Sequence, residues 1–151
     1  MAGLKGRYKP VNPEKYKGNP SNIIFRSSWE RDVCQWLDNR KDVKWWMSEE
    51  RCFSYLDKTT NKVRRYFPDF IVCFQRDYGE EIRVIEVKPK HQTAPPKLPK
   101  SGRKTPTYKK QLLEFVRNQC KWDAMTSECE NRGWNFSVLT EDDVSRWKKR
   151  K

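Results

Sequence analysis

Two strand-like runs joined by a short polar link limit this chain more than any other feature. "PDFIVCFQ" (68–75) and "IRVIEVK" (82–88) flank "RDYGEE", whose Gly79 suits a tight reversal, so the runs are expected to fold back as an antiparallel hairpin. The first run is nearly continuous in apolar residues, the pattern of a strand covered on both faces, and a Pro at a strand start, as at Pro68, is tolerated. In the second run Glu86 and Lys88 interrupt the apolar pattern two residues apart and therefore share a face. With a connection over 76–81, Asp69 is expected opposite Lys88 and Ile71 opposite Glu86. Asp69, Glu86 and Lys88 then stand together at the open end of the hairpin, whereas a slip of one residue would scatter them.

The segments around the hairpin give the fold class. A helix is expected over about 28–38, where Trp29, Val33, Trp36 and Leu37 recur at helical spacing. Glu30 falls about 100° from Trp29 on that helix, inside its apolar arc, where a carboxylate needs a partner. Ser27 and Glu30 fit a capping box, with Glu30 reaching back to the Ser27 amide; a first-turn Glu can also face a neighbouring sheet end. Strands are expected near 43–46, 51–57, 62–67 and 135–139, and a long helix over about 108–131 ended by Gly133. Thr140 caps a short final helix with Glu141, Asp142 and Asp143 in its first turn. This order predicts an α/β domain, α+β-like in sequence order, with a mixed central β-sheet flanked by helices. The expected organisation is a basic, Pro-containing arm (1–24), a single domain (25–147) with a basic loop (89–107), and a basic tail (148–151). For the arm, contact with phosphate or an acidic partner and a loose tail are both open.

Charge and composition narrow the chemistry. The net charge of +13 and pI of about 9.7 point to a polyanionic partner, nucleic acid first. No apolar run reaches transmembrane length, and "MAGLKGRYKP" lacks the apolar core of a signal peptide, so no membrane partner is expected. Five Cys without CxxC spacing fit reduced thiols, and ligand pairs at zinc spacing are absent, so no zinc is expected. His91 is the only histidine, which excludes nuclease sites built on a His base or on paired His ligands. An enzyme built from this chain works with carboxylates and lysine. Converging carboxylates bind a hard divalent cation, Mg²⁺ with Mn²⁺ able to substitute, and a neighbouring ammonium stabilises charge on phosphorus.

Pro68-Asp69, then Glu86-Val87-Lys88, with Glu30 on an upstream helix, resembles the PD-(D/E)xK nuclease superfamily. "FRSSWE", "NQCKWDA", "YKPVNPEKYKG" and "FSVLTEDDV" extend the resemblance over nearly the whole chain to the head completion nucleases of tailed phages, and more distantly to a transposon-end endonuclease domain. The resemblance implies a restriction-endonuclease-like core and a Mg²⁺-dependent DNA endonuclease. Glu30, Asp69 and Glu86 would be its metal carboxylates, and Lys88 its base or charge stabiliser. It also implies capsid or portal partners and action on packaged DNA ends, in the host cytoplasm during assembly or in the virion. A non-catalytic DNA-binding or capsid-completion protein, and a junction-resolving or repair endonuclease of the same superfamily, are the alternatives.

Supporting residues follow from position. Gln119 falls inside the apolar arc of the second helix and Lys121 on its opposite side; both are candidates to support the site, a solvated lysine being the plainer reading of Lys121. Arg26 and Ser28 can meet phosphate at a helix N-terminus. Between Val87 and Leu113 eight Lys/Arg face no Asp/Glu, and Lys90, Lys97, Lys100, Arg103, Lys104 and Lys109 of this run are expected to track DNA.

Overall fold

The computed structural model describes residues 4–149; Met1–Gly3 of the expected arm and Arg150 and Lys151 of the expected tail lie outside the described residues. In chain order the elements are β1 (Gly6–Tyr8), β2 (Ile23–Phe25), α1 (Ser28–Asn39), β3 (Val43–Ser48), β4 (Phe53–Asp57), β5 (Lys62–Tyr66), β6 (Phe70–Arg76), β7 (Gly79–Val87), α2 (Pro106–Arg132), β8 (Asn135–Leu139) and α3 (Glu141–Lys149). Short 3-10 turns occupy Pro13–Lys15 and Lys90–Thr93. The central sheet has the order β3-β6-β7-β8, antiparallel except for the β7–β8 pair, which is parallel and joined through α2. It is the expected mixed sheet. The expected strands at 51–57 and 62–67 are β4 and β5, which pair with each other in a separate ribbon.

Alternation along the strands divides the core into two layers. Phe70, Val72, Ile85 and Val87 face α1 and α3, packing with Val33, Leu37, Trp46 and Val144. Ile71 and Val84 point the other way and pack with Tyr55 and Tyr66 of the ribbon and Cys120, Met125 and Cys129 of α2. Helices α1 and α3 are joined by a stacked pair, Trp36 and Trp147, with centroids 3.9 Å apart. On the other layer, Asp57 ties the ribbon to α2. Its carboxylate accepts from Thr59 and Arg64 and meets the Arg117 guanidinium at 3.2 Å.

The hairpin is tighter than expected. Arg76 pairs with Gly79, leaving only Asp77 and Tyr78 in the turn, and the pairing runs through Phe70↔Ile85. The register is thus offset by two residues from the expected one: Asp69 stands level with Glu86, not Lys88, and Ile71 opposes Val84, not Glu86. An offset of two preserves the side-chain period, so Asp69, Glu86 and Lys88 still share a face. Helix α2 also begins earlier than expected, because Thr105 caps it by accepting the Tyr108 amide at 3.1 Å and Pro106 fits the first helical position. It ends where Gly133 takes the left-handed conformation (φ 73°).

The N-terminal segment is part of the fold, not a loose tail. Strand β1 pairs with β2, and Tyr16 and Ile23 are buried in the α1 layer. Asp38, fully buried near the end of α1, accepts from the Tyr8 hydroxyl (2.6 Å) and from the amides of Val11 (2.7 Å) and Asn12 (3.0 Å). The Lys15 ammonium caps the same helix end, donating to the carbonyls of Leu37, Asp38 and Arg40. Asp38→Ala would strand three donors, each worth roughly 1–3 kcal/mol when left unsatisfied. A loss of roughly 3 kcal/mol or more in urea unfolding is therefore expected, against little change for the exposed Glu14→Ala.

Candidate active site

The site forms where β6 and β7 open. Asp69 stands just before β6 and Glu86 at the end of β7, and two crossed hydrogen bonds hold them. The Asp69 amide donates to Glu86 Oε1 at 3.2 Å, and the Val87 amide donates to Asp69 Oδ2 at 2.8 Å. Each carboxylate thus satisfies a backbone donor that the end of the ladder leaves without a partner. Glu86 is only 5% exposed, and Pro68 is buried beneath the turn into β6. The Asp69 carboxylate is densely enclosed, although part of the residue's surface reaches solvent. Enclosure, then the Glu86 and Glu30 charges, push the Asp69 carboxyl well above the usual carboxylate range. Burial also raises Glu86, opposed by the neighbouring Lys88 and Lys121.

Glu30 approaches from the first turn of α1. Ser27 caps the helix, its hydroxyl accepting the Glu30 amide at 3.1 Å. The return bond differs from the expected capping box: Glu30 Oε1 accepts from the Arg26 amide at 3.4 Å, one residue beyond Ser27. Its carboxyl is raised, by burial first and then by Glu49 and Glu86. Among the described residues no group of three His, Cys, Asp or Glu side chains is placed to hold a metal ion. The donor set nevertheless suits a hard divalent cation. Asp69 and Glu86 are oxygen donors held against each other at a cost in repulsion, with Glu30 near enough to raise Asp69 further.

Lys121 joins this cluster instead of lying on a solvated face. It is half-buried, its ammonium 5.6 Å from the Tyr66 ring centroid and 5.9 Å from that of Tyr55. Burial lowers its pKa, and Lys88 lowers it further. The Tyr66 hydroxyl is buried beside Glu86 without completing a hydrogen bond of normal geometry, and burial pushes it up. Gln119 is half-buried on α2, and no hydrogen bond ties it to the cluster among the described residues. Arg26 is exposed and pairs with Glu49 at 2.9 Å. Ser28 is buried as the first residue of α1, so its hydroxyl is not open to phosphate as expected.

Sequence reasoning missed Glu49, Tyr55 and Tyr66. Glu49 has φ 51°, donates its amide to the Asp69 carbonyl at 3.2 Å and adds a carboxylate beside Glu30. The only signal was its place at the end of a strand, useless without knowing that β3 pairs with β6. In the basic loop, Lys97, Lys100, Arg103 and Lys104 are exposed, as is Lys109 in the first turn of α2. Lys90 is anchored to the first turn of α3: its amide donates to Glu141 at 2.7 Å and its ammonium lies 3.4 Å from Asp142.

Comparison with known proteins identifies the family. Residues 40–141 match the family described as TnsA-like endonuclease, N terminal, a segment that carries Asp69, Glu86, Lys88 and Lys121. The head completion nuclease of Enterobacteria phage T4 is 37% identical over 141 residues, covering 91% of each chain. No solved structure matches. A mixed sheet with the Asp69 and Glu86-x-Lys88 pieces at its opening, matched over more than half its length by that family, makes this chain a member of the TnsA-like endonucleases, a nuclease of the PD-(D/E)xK type.

Proposed function

We propose that the chain is a Mg²⁺-dependent DNA endonuclease that hydrolyses phosphodiester bonds and acts on packaged DNA ends during phage head completion. The pair Asp69–Glu86, held by crossed hydrogen bonds beside Lys88, carries this reading. Asp69 and Glu86 would hold the cation, with Glu30 as the third carboxylate; Mn²⁺ would serve in its place. When bound, such a cation lowers the pKa of a water and offsets charge on phosphorus. Lys88 would orient that water or stabilise the charge of the transition state. Lys121, kept close by Tyr55 and Tyr66, would add a second positive charge on the same side. The exposed cations of the 89–107 loop would hold the phosphates of DNA. Capsid or portal proteins are its proposed partners, in the host cytoplasm during assembly or in the virion. This last step rests on likeness to the phage T4 protein.

Plasmid cleavage should require Mg²⁺, stop with EDTA, and fall by at least about a hundredfold in Asp69→Asn and in Lys88→Ala. Undiminished cleavage by Asp69→Asn would sink the assignment; metal binding without cleavage of any DNA form would favour a structural role.

The raised carboxyls also set a pH dependence of stability. A carboxyl whose folded pKa exceeds its unfolded value destabilises the fold above both values, and the burden lifts as pH falls through the folded pKa. In EDTA, Asp69→Asn should therefore melt higher than the parent near about pH 8, with the gap closing as pH is lowered toward about 4. A lower melting temperature for the variant at every pH would contradict the repulsion inferred at the site.

Binding to duplex DNA should weaken steeply with salt. Replacing Lys97, Lys100, Arg103 and Lys104 together by Ala should reduce the slope of log K against log salt by up to about 3–4, checked by anisotropy across a salt series. An unchanged slope would place the DNA path elsewhere.

A further inference from the structure

Between α2 and the 89–107 loop lies a cavity of about 660 Å³ with no part in the proposed reaction. One wall is a face of α2: Gln111, Glu114, Phe115 and Asn118 follow the i, i+3, i+4, i+7 spacing that puts them on one side of a helix. The opposite wall is the loop, chiefly Pro95 and Pro96. Its position follows from the chain. Lys90 on its rim is two residues beyond Lys88, and Asn118 precedes Lys121 by three residues, a rise of roughly 4.5 Å. The cavity thus lies between α2 and the loop that leaves Lys88, with Glu141 at the start of α3 also in its lining.

We infer that this cavity receives an unpaired nucleotide of the DNA strand being cut, its base against Phe115 and its phosphates outside on the loop lysines. The inference rests on the nuclease reading and adds the form of DNA the site prefers. Its volume lies in the range that encloses a small-molecule-sized group, and it is too small for a duplex. Ala94, Pro95, Pro96 and Phe115 give it an apolar part with one aromatic ring, suited to the flat face of a base. The amides of Gln111 and Asn118 and the Glu114 carboxylate supply donors and acceptors for a base edge. Lys90 and Lys97 balance Glu114 and Glu141 in the lining, whereas Lys100, Arg103 and Lys104 stand exposed outside it and favour phosphate there. The uncharged part of the nucleotide thus enters and the charged part stays out. A protein built this way binds a strand end or flap in preference to a blunt duplex.

Binding is read by anisotropy on the full-length chain carrying Asp69→Asn, in EDTA, so that no DNA is cut. The probes are a fluorescent blunt duplex and the same duplex with a short single-stranded tail. The tailed duplex should bind more tightly. Phe115→Leu and, separately, the exposed Gln111→Ala should each weaken tailed-duplex binding by about five- to a hundredfold and leave the blunt duplex unchanged. Lys97→Ala with Lys100→Ala should weaken both probes alike. Equal affinity for the two DNAs, or parallel losses on both in the Phe115 and Gln111 variants, overturns the inference while cleavage by the parent chain leaves the nuclease reading intact. A tail preference lost on Phe115→Leu, in a parent chain that cuts no DNA, would overturn the nuclease reading and keep the cavity's role.

Discussion

Two crossed hydrogen bonds at the mouth of β6 and β7 are the constraint on which the site depends. At that point the ladder opens and each strand leaves an amide without a backbone partner. The Asp69 amide is taken by Glu86 and the Val87 amide by Asp69. The backbone thereby fixes both carboxylates at one depth, and neither can turn to solvent without exposing a donor to a dry environment. The two acids are pressed together because the strands are paired, and their mutual repulsion is the cost of that placement.

Much of the rest of the fold holds this pair against its own repulsion. Two apolar layers grip β6 and β7 from opposite faces, so the strands cannot spread. Helix α1 points its first turn, with Glu30, toward the opening, and its far end is clamped by the N-terminal segment through Asp38 and Lys15. Helix α2 carries Lys121 across two tyrosine rings to the same side. The cations are placed close enough to lower Glu86 but do not outweigh its burial, so its carboxyl stays raised.

The proposed grip on DNA and the proposed chemistry fall on different parts of the fold. The carboxylates lie enclosed at the sheet, while the loop cations stand exposed in a segment tied to α3 at its base through Lys90. Exposed lysines act through long-range attraction and counterion release, so they need no fixed geometry. The acids need fixed geometry and obtain it from β-pairing. The cavity along α2 is lined in part by the loop, and its mixture of Phe115, amides and carboxylates differs from both regions.

The sequence by itself determined the elements, the shared face of Asp69, Glu86 and Lys88, and the inward aim of Glu30, because helix and strand periods are local properties of the chain. Even a misjudged turn left the face intact, since the two-residue turn at Asp77 and Tyr78 shifted the register by an even number. Only the tertiary structure decided which carboxylate meets which. It also decided that the N-terminal segment locks onto Asp38, that Ser28 is buried, and that Lys121 turns toward Glu86. Those outcomes depend on contacts between residues far apart in the chain. Lys121 looked solvated on an isolated helix and became part of the site when the β4–β5 ribbon supplied Tyr55 and Tyr66 beneath it. Glu49 looked like any strand-end acid until β3 was paired with β6. Spacing along the chain fixes the direction of a side chain within its own element; what it meets there is fixed by how separate elements pack.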